Sequence, residues 1–177
     1  MTVWIALLRG INLGKRRLRM DDLKAAFVDM GFADARTLIA SGNVVFSAGD
    51  DEDLAAKLEK GLERRFGFAV PTILRSRDDL VALCDAAPFG DETETDDQKL
   101  YVWFLGGPDI GKLAVPLEVI GNYRIVATTP REFFALVYRQ PGGRFGDGLD
   151  KAGKPFEPFV TNRNWNTILR LIELAGG

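Results

Sequence analysis

Histidine is missing altogether from the 177-residue chain. That removes the usual general base near neutral pH, the commonest metal ligand, and every Ser-His or Cys-His nucleophilic pair. An enzyme built on this chain would need carboxylates, Lys, Tyr or a hard metal ion on oxygen ligands. Cysteine is nearly missing too: only Cys84 is present, so no internal disulfide can form and a zinc site lacks its ligands. The expectation is no metal, no cofactor and a reducing, cytoplasmic setting. No apolar run approaches the ~20 residues of a membrane helix. The opening Met1-Thr2-Val3-Trp4 runs straight into a strand pattern without a signal peptide's basic flank or cleavage site, which again predicts a cytoplasmic protein and no membrane partner. Neither sign of charge dominates: 23 Lys and Arg face 25 Asp and Glu, a net charge of -2. Any basic patch is therefore local, and bulk attraction to nucleic acid is not implied.

Hydrophobic residues make up 46% of the chain, enough for a proper core in one domain or two small ones. The stretch from Leu7 to Met20 organises the rest. An apolar run from Val3 to Leu8 reads as a buried strand, followed by a glycine-punctuated turn and then by Asp21 and an amphipathic pattern. The turn carries Arg9, Lys15, Arg16, Arg17 and Arg19 with no acid before Asp21. A strand-to-helix connection of this kind favours an anion.

Leu23, Phe27 and Met30 then recur at helical spacing, with Gly31 as the stop. Arg36 to Ala40 and Val44 to Phe46 read as two short strands joined at Ser41-Gly42-Asn43. Leu54, Leu58 and Leu62 mark a second helix, preceded by acids at Asp50–Asp53 and ended by Gly67. Val70 to Leu74 is a strand, and Ser76-Arg77-Asp78-Asp79 resembles a capping box opening a third helix, whose apolar side holds Cys84. The order β-α-β-β-α-β is the split βαβ pattern of a ferredoxin-like sheet with helices on one face. Five acids between Asp91 and Asp97 then predict a solvated linker. Beyond it come strands over Lys99–Leu105, Tyr123–Ala127 and Glu132–Tyr138. A helical turn or two within 108–116 and a closing helix from Trp165 complete this half. The fold expected is α+β, two tandem ferredoxin-like (split βαβ) subdomains with antiparallel sheets. The halves span 1–90 and 99–177, with an acidic linker at 91–98.

Arg9-Gly10-Ile11-Asn12, Ser41-Gly42-Asn43-Val44-Val45-Phe46 and Thr161-Asn162-Arg163-Asn164-Trp165-Asn166-Thr167 resemble, in order, three signature blocks of the DUF1697 family. These are small bacterial proteins of unassigned function. The resemblance covers nearly the whole chain and implies tandem ferredoxin-like halves, without implying an activity. Two departures are visible: Lys15 follows Gly14 where the family runs into two glycines, and Asn162 stands where Thr is usual.

The blocks define a candidate site. Arg9 offers a planar fork suited to phosphate or carboxylate, and Lys15 adds charge beside it. Asn12, Ser41 and Asn43 supply donors and acceptors, while Gly10 and Gly42 let a ligand approach the backbone. Arg163 and Asn164, taken to open the final helix, and Trp165 complete the set. The expectation is a cleft between the halves that binds an anionic, phosphorylated small molecule or a single-stranded nucleic acid. The alternatives are a histidine-independent enzyme and a purely structural or partner-binding protein. In the structural alternative Arg9 pairs with an acid, the asparagines satisfy turns and Trp165 anchors packing. Gly10 to Lys15 is not a P-loop, since a residue is missing and Arg16 stands where Ser or Thr would hold magnesium. Gly142 to Gly148 does not lie between a strand and a helix as a dinucleotide fingerprint requires. Nothing in the sequence fixes a catalytic residue or an oligomeric state.

Overall fold

The computed structural model describes residues 1–11, 18–38, 42–107, 117–145 and 151–176. The expected helical turn at 108–116 lies outside the described residues. The chain forms two compact units, Met1–Ala82 with Leu169–Gly177, and Leu83–Ile168.

The first unit starts with β1 (Thr2–Leu8), α1 (Met20–Asp29), β2 (Arg36–Leu38) and β3 (Asn43–Ala48). It continues with α2 (Leu54–Phe66), β4 (Thr72–Ser76) and α3 (Arg77–Asp85), whose last residues lie in the second unit. The sheet order is β2-β3-β1-β4, with antiparallel pairing at every step. The β1-α1-β2 crossover leaves a gap one strand wide, and β3 fills it, as a split βαβ unit requires.

Both faces of β1 are buried, which is why it reads as a continuous apolar run rather than an alternation. Ala6 and Leu8 share one core with Val44, Phe46 and the helical stripes Leu23–Phe27 and Leu54–Leu58–Leu62. On the opposite face Ile5, Leu7 and Val45 are fully buried as well. Phe27, Phe32 and Phe46 meet with ring centroids 4.8 to 6.0 Å apart, an arrangement that adds edge-to-face attraction to area burial. Gly67 ends α2 at φ 75. Ser76 and Asp79 cap α3 reciprocally, the Ser76 N–H donating to Asp79 Oδ2 at 3.1 Å and the Asp79 N–H to Ser76 Oγ at 3.0 Å.

The second unit holds β5 (Gln98–Leu105), β6 (Glu118–Val119), β7 (Tyr123–Thr128), β8 (Glu132–Tyr138) and β9 (Val160–Asn164). The final helix, α4, follows at Trp165–Gly176. The sheet order is β6-β7-β8-β5-β9. Without its two-residue edge strand β6, this repeats the order of the first sheet. Phe133 through Val137 are buried along the whole of β8, and Trp103 stacks on Phe133 at 4.9 Å and 10°.

β9 corrects the sequence reading. Arg163 and Asn164 are strand residues, paired with Val102 and Tyr101 of β5, and α4 begins at Trp165. The segment Val160-Thr161-Asn162-Arg163-Asn164 has no apolar alternation, so only its pairing with β5 reveals it. In the acid-rich stretch Asp91, Asp96 and Asp97 are exposed, while the two glutamates are engaged. Glu92 binds Arg124 Nη2 at 2.9 Å, and Glu94 is held by four groups of the second unit. Among the described residues no helix is long and apolar enough to cross a membrane.

Candidate functional site

Asn12, Lys15 and Ser41 lie outside the described residues. The other seven site residues divide between the two units. Arg9, Gly10, Gly42 and Asn43 belong to the first and Arg163, Asn164 and Trp165 to the second.

In the first unit, sheet register does the assembling. Leu7 pairs with Asn43 on one side and Ile73 on the other, so the chain leaves β1 beside the start of β3 and the approach to β4. The Leu8 N–H donates to the Gly42 carbonyl at 2.8 Å and the Arg9 N–H to the Pro71 carbonyl at 2.9 Å. Arg9 and Gly10 are half-buried, with Gly10 at φ 72. Gly42 and Asn43, by contrast, are buried. Gly42 sits at φ 67, and a Cβ there would meet Ile11 Cδ1 at 2.7 Å. Packing and backbone conformation are by themselves enough to require glycine here. The first turn of α1 carries Asp21 and Asp22, which complement the helix dipole themselves. Of the cations in this connection, Arg9 is half-buried and Arg19 exposed, while Lys15, Arg16 and Arg17 lie outside the described residues.

In the second unit the three residues make a tight structural joint. Arg163 is 7% exposed. Its Nη1 donates to Thr161 Oγ1 at 2.8 Å and to the Asn162 carbonyl at 2.6 Å. Burial lowers its pKa to about 10, so it stays protonated at neutral pH. The Asn164 Nδ2 donates to Glu94 Oε1 at 2.5 Å, while its Oδ1 accepts from the Asn166 N–H at 3.0 Å. The Asn166 Nδ2 donates to Glu94 Oε2 at 2.9 Å. Glu94 also accepts from the Leu100 N–H at 3.3 Å and from Lys99 Nζ at 3.4 Å. Trp165 packs edge-on against Phe89 and Phe134, with centroids 5.2 and 6.0 Å away. Sequence reasoning missed Glu94, because its partners lie 70 and 72 residues downstream.

Beside this joint lies a cleft of about 420 Å³ lined in part by Cys84, Phe89, Glu94 and Trp165. Burial, and then the neighbouring Asp85 charge, push the Cys84 thiol up from its ordinary value. It is thus a poorer nucleophile than a free thiol.

Fold and site together define an α+β protein of two antiparallel sheets, with a basic connection opening at the end of the first. The chain belongs to the DUF1697 family, described as proteins of unknown function, which matches residues 1–121. That span takes in the first two signature blocks and stops short of the third. No curated protein matches the chain. Among solved structures, the conserved bacterial protein SP0830 from Streptococcus pneumoniae matches with a TM-score of 0.71 at 21% identity. The match covers 100% of this chain and 99% of that one. The likeness is one of fold.

Proposed function

We propose that the protein binds a small phosphorylated anion at the end of β1. One observation carries this reading. Arg9 is anchored through its N–H to the Pro71 carbonyl at the opening of a connection that holds Arg9, Lys15, Arg16, Arg17 and Arg19 and no acid. A guanidinium beside a glycine of positive φ can present its paired donors to phosphate while the backbone leaves room. The test is a thermal-shift screen of nucleotides, sugar phosphates, polyphosphate and short single-stranded oligonucleotides on the wild type and Arg9→Ala. A ligand at 100 times its dissociation constant stabilises the native state by about 2.7 kcal/mol. The wild type should shift and Arg9→Ala should shift clearly less. Steep salt dependence would point to an oligonucleotide over a small molecule. An equal response from both proteins, or none from the wild type, refutes the proposal.

A further inference from the structure

At the other end of the first sheet, where β1 begins beside the end of β3 (Thr2 opposite Ala48), a groove of about 690 Å³ opens along α2. Its floor is aliphatic: Ala48, Leu54 and Leu58 are 6%, 4% and 1% exposed, with Met30 and Phe32 forming the wall from the end of α1. Gly61 lets that wall close on α2, because a Cβ there would overlap the Met30 thioether. Gly49 lines the groove from the end of β3, and a Cβ there would meet nothing within 4 Å.

The charges along the groove are ordered. Asp29 is paired with Arg65 at 3.2 Å and Asp51 with Lys57 at 2.5 Å. Asp50 Oδ1 accepts the Thr2 hydroxyl at 2.9 Å. Lys60 and Arg64 also line the groove. Among the described residues neither has a hydrogen bond or an ion pair. They are four residues apart on α2 and so neighbours on one helix face, ~6 Å between Cβ atoms. Lys60 lies roughly 9 Å along the helix from Leu54, next to the acids. The groove thus has, among the described residues, an end with two cations outside any ion pair, an apolar middle and an end that carries Asp50.

We propose that this groove binds a small carboxylate bearing an aliphatic chain, a medium-chain fatty acid in chemical class. The carboxylate lies against Lys60 and Arg64 and the chain lies along the partly exposed Met30 and Phe32, above the buried Leu58 and Leu54. Arg64 offers a fork of donors and Lys60 a point charge, the Met30 thioether adapts to chain shape, and Asp50 disfavours a second negative charge at the far end. The site is independent of Arg9.

The test uses the full chain and isothermal titration with decanoate below its micellar concentration. 1-Decanol and decyltrimethylammonium serve as neutral and cationic counterparts. Decanoate should bind one to one, at least about tenfold tighter than either. Each exposed ion pair contributes only severalfold, so Lys60→Glu with Arg64→Glu should cost about tenfold or more. Gly49→Leu leaves every charge in place and puts a side chain at the Asp50 end of the groove, where a Cβ meets nothing; it should weaken decanoate binding at least about tenfold while melting like the wild type. Arg9→Ala should bind decanoate as the wild type does, which separates this site from the proposed phosphate site. Decanol binding as tightly as decanoate, wild-type affinity in either groove variant, or no heat with decanoate would overturn the proposal.

Discussion

Replacing Glu94 with glutamine or alanine should unfold the protein several degrees earlier, although the residue sits in a run of acids that reads as solvated. A solvated surface carboxylate contributes within about 0.5 kcal/mol. Glu94 is different: its side chain is 20% exposed, and its two oxygens accept from Asn164 and Asn166 amides at 2.5 and 2.9 Å and from the Leu100 N–H at 3.3 Å. Hydrogen bonds to a charged acceptor contribute about 1.5–3 kcal/mol each when buried. Discounting for partial exposure, and for the weak contact with Lys99, leaves about 2–4 kcal/mol for Glu94→Ala. Glutamine keeps the size but turns one acceptor into a donor facing an amide donor, so it should recover less than half of that. For a chain of this length each 1 kcal/mol moves the melting temperature by about 2–4 °C, which predicts a drop of about 4–16 °C for the alanine variant. Scanning calorimetry gives the shift. A double-mutant cycle with Asn164→Ala should give a coupling of about 1–2 kcal/mol. A shift below about 2 °C, or strict additivity with Asn164→Ala, would refute the idea that Glu94 pins this loop to the start of α4.

Other perturbations follow from the same geometry. Gly42→Ala places a side chain at positive φ against Ile11 and should cost about 1–3 kcal/mol in urea unfolding; an unchanged midpoint would count against a packing role for this glycine. Arg163→Ala should cost about 2–4 kcal/mol through the cavity and the stranded Thr161 and Asn162 groups. Arg163→Met should cost less than half of that, since it sheds a desolvated charge; the reverse order would contradict this account. Cys84, with its thiol pushed up by burial, should react with iodoacetamide at neutral pH more slowly than a free thiol. Its rate should still be climbing past pH ~9, and a plateau near neutrality would refute this. Asp34 has its pKa lowered chiefly by a hydrogen bond from the Ser47 side chain, with a smaller contribution from the Ser47 N–H, which donates to it at 3.2 Å. Its contribution is present above the ordinary carboxylate value and lost as pH falls through the lower folded one. Asp34→Asn should therefore lose stability near neutrality but flatten the decline below pH ~4, which acid titration of the melting temperature checks.

Much of the fold was legible because its elements carry their own period. The stripes Leu23–Phe27 and Leu54–Leu58–Leu62 are helical on sight, β1 and β8 are apolar runs, and Ser76 with Asp79 announces a cap. β9 was not, since a polar edge strand gains its burial from β5 and shows no pattern of its own. β6 is two residues long and shows none either. The site was legible only where sequence neighbours stay neighbours, as at Arg9 and Gly10. The burial of Gly42 and Asn43 depends on cross-strand register, and the engagement of Asn164 depends on a glutamate 70 residues away. The groove over Leu58 is built from the end of α1, the end of β3 and one face of α2, so no single stretch signals it.

β9 also explains why the third signature block looks unlike the first two. In each sheet the last strand to join pairs with the first, β4 with β1 and β9 with β5. Each ends on a buried arginine followed by a capping residue and a helix: Arg75 and Ser76 before α3, Arg163 and Asn164 before α4. Arg75 is 3% exposed and its Nη1 donates to the carbonyl of the preceding Leu74 at 2.8 Å, as Arg163 does to that of Asn162. Arg75 stands opposite Ile5 and Arg163 opposite Val102, both fully buried. Two arginines at matching places in two sheets of matching strand order are more economically explained by a shared strand-to-helix joint than by ligand contact. On that reasoning the third block encodes the joint, and the chemistry this protein offers a ligand is to be sought where cations stay near the surface: around Arg9, and along α2 at Lys60 and Arg64.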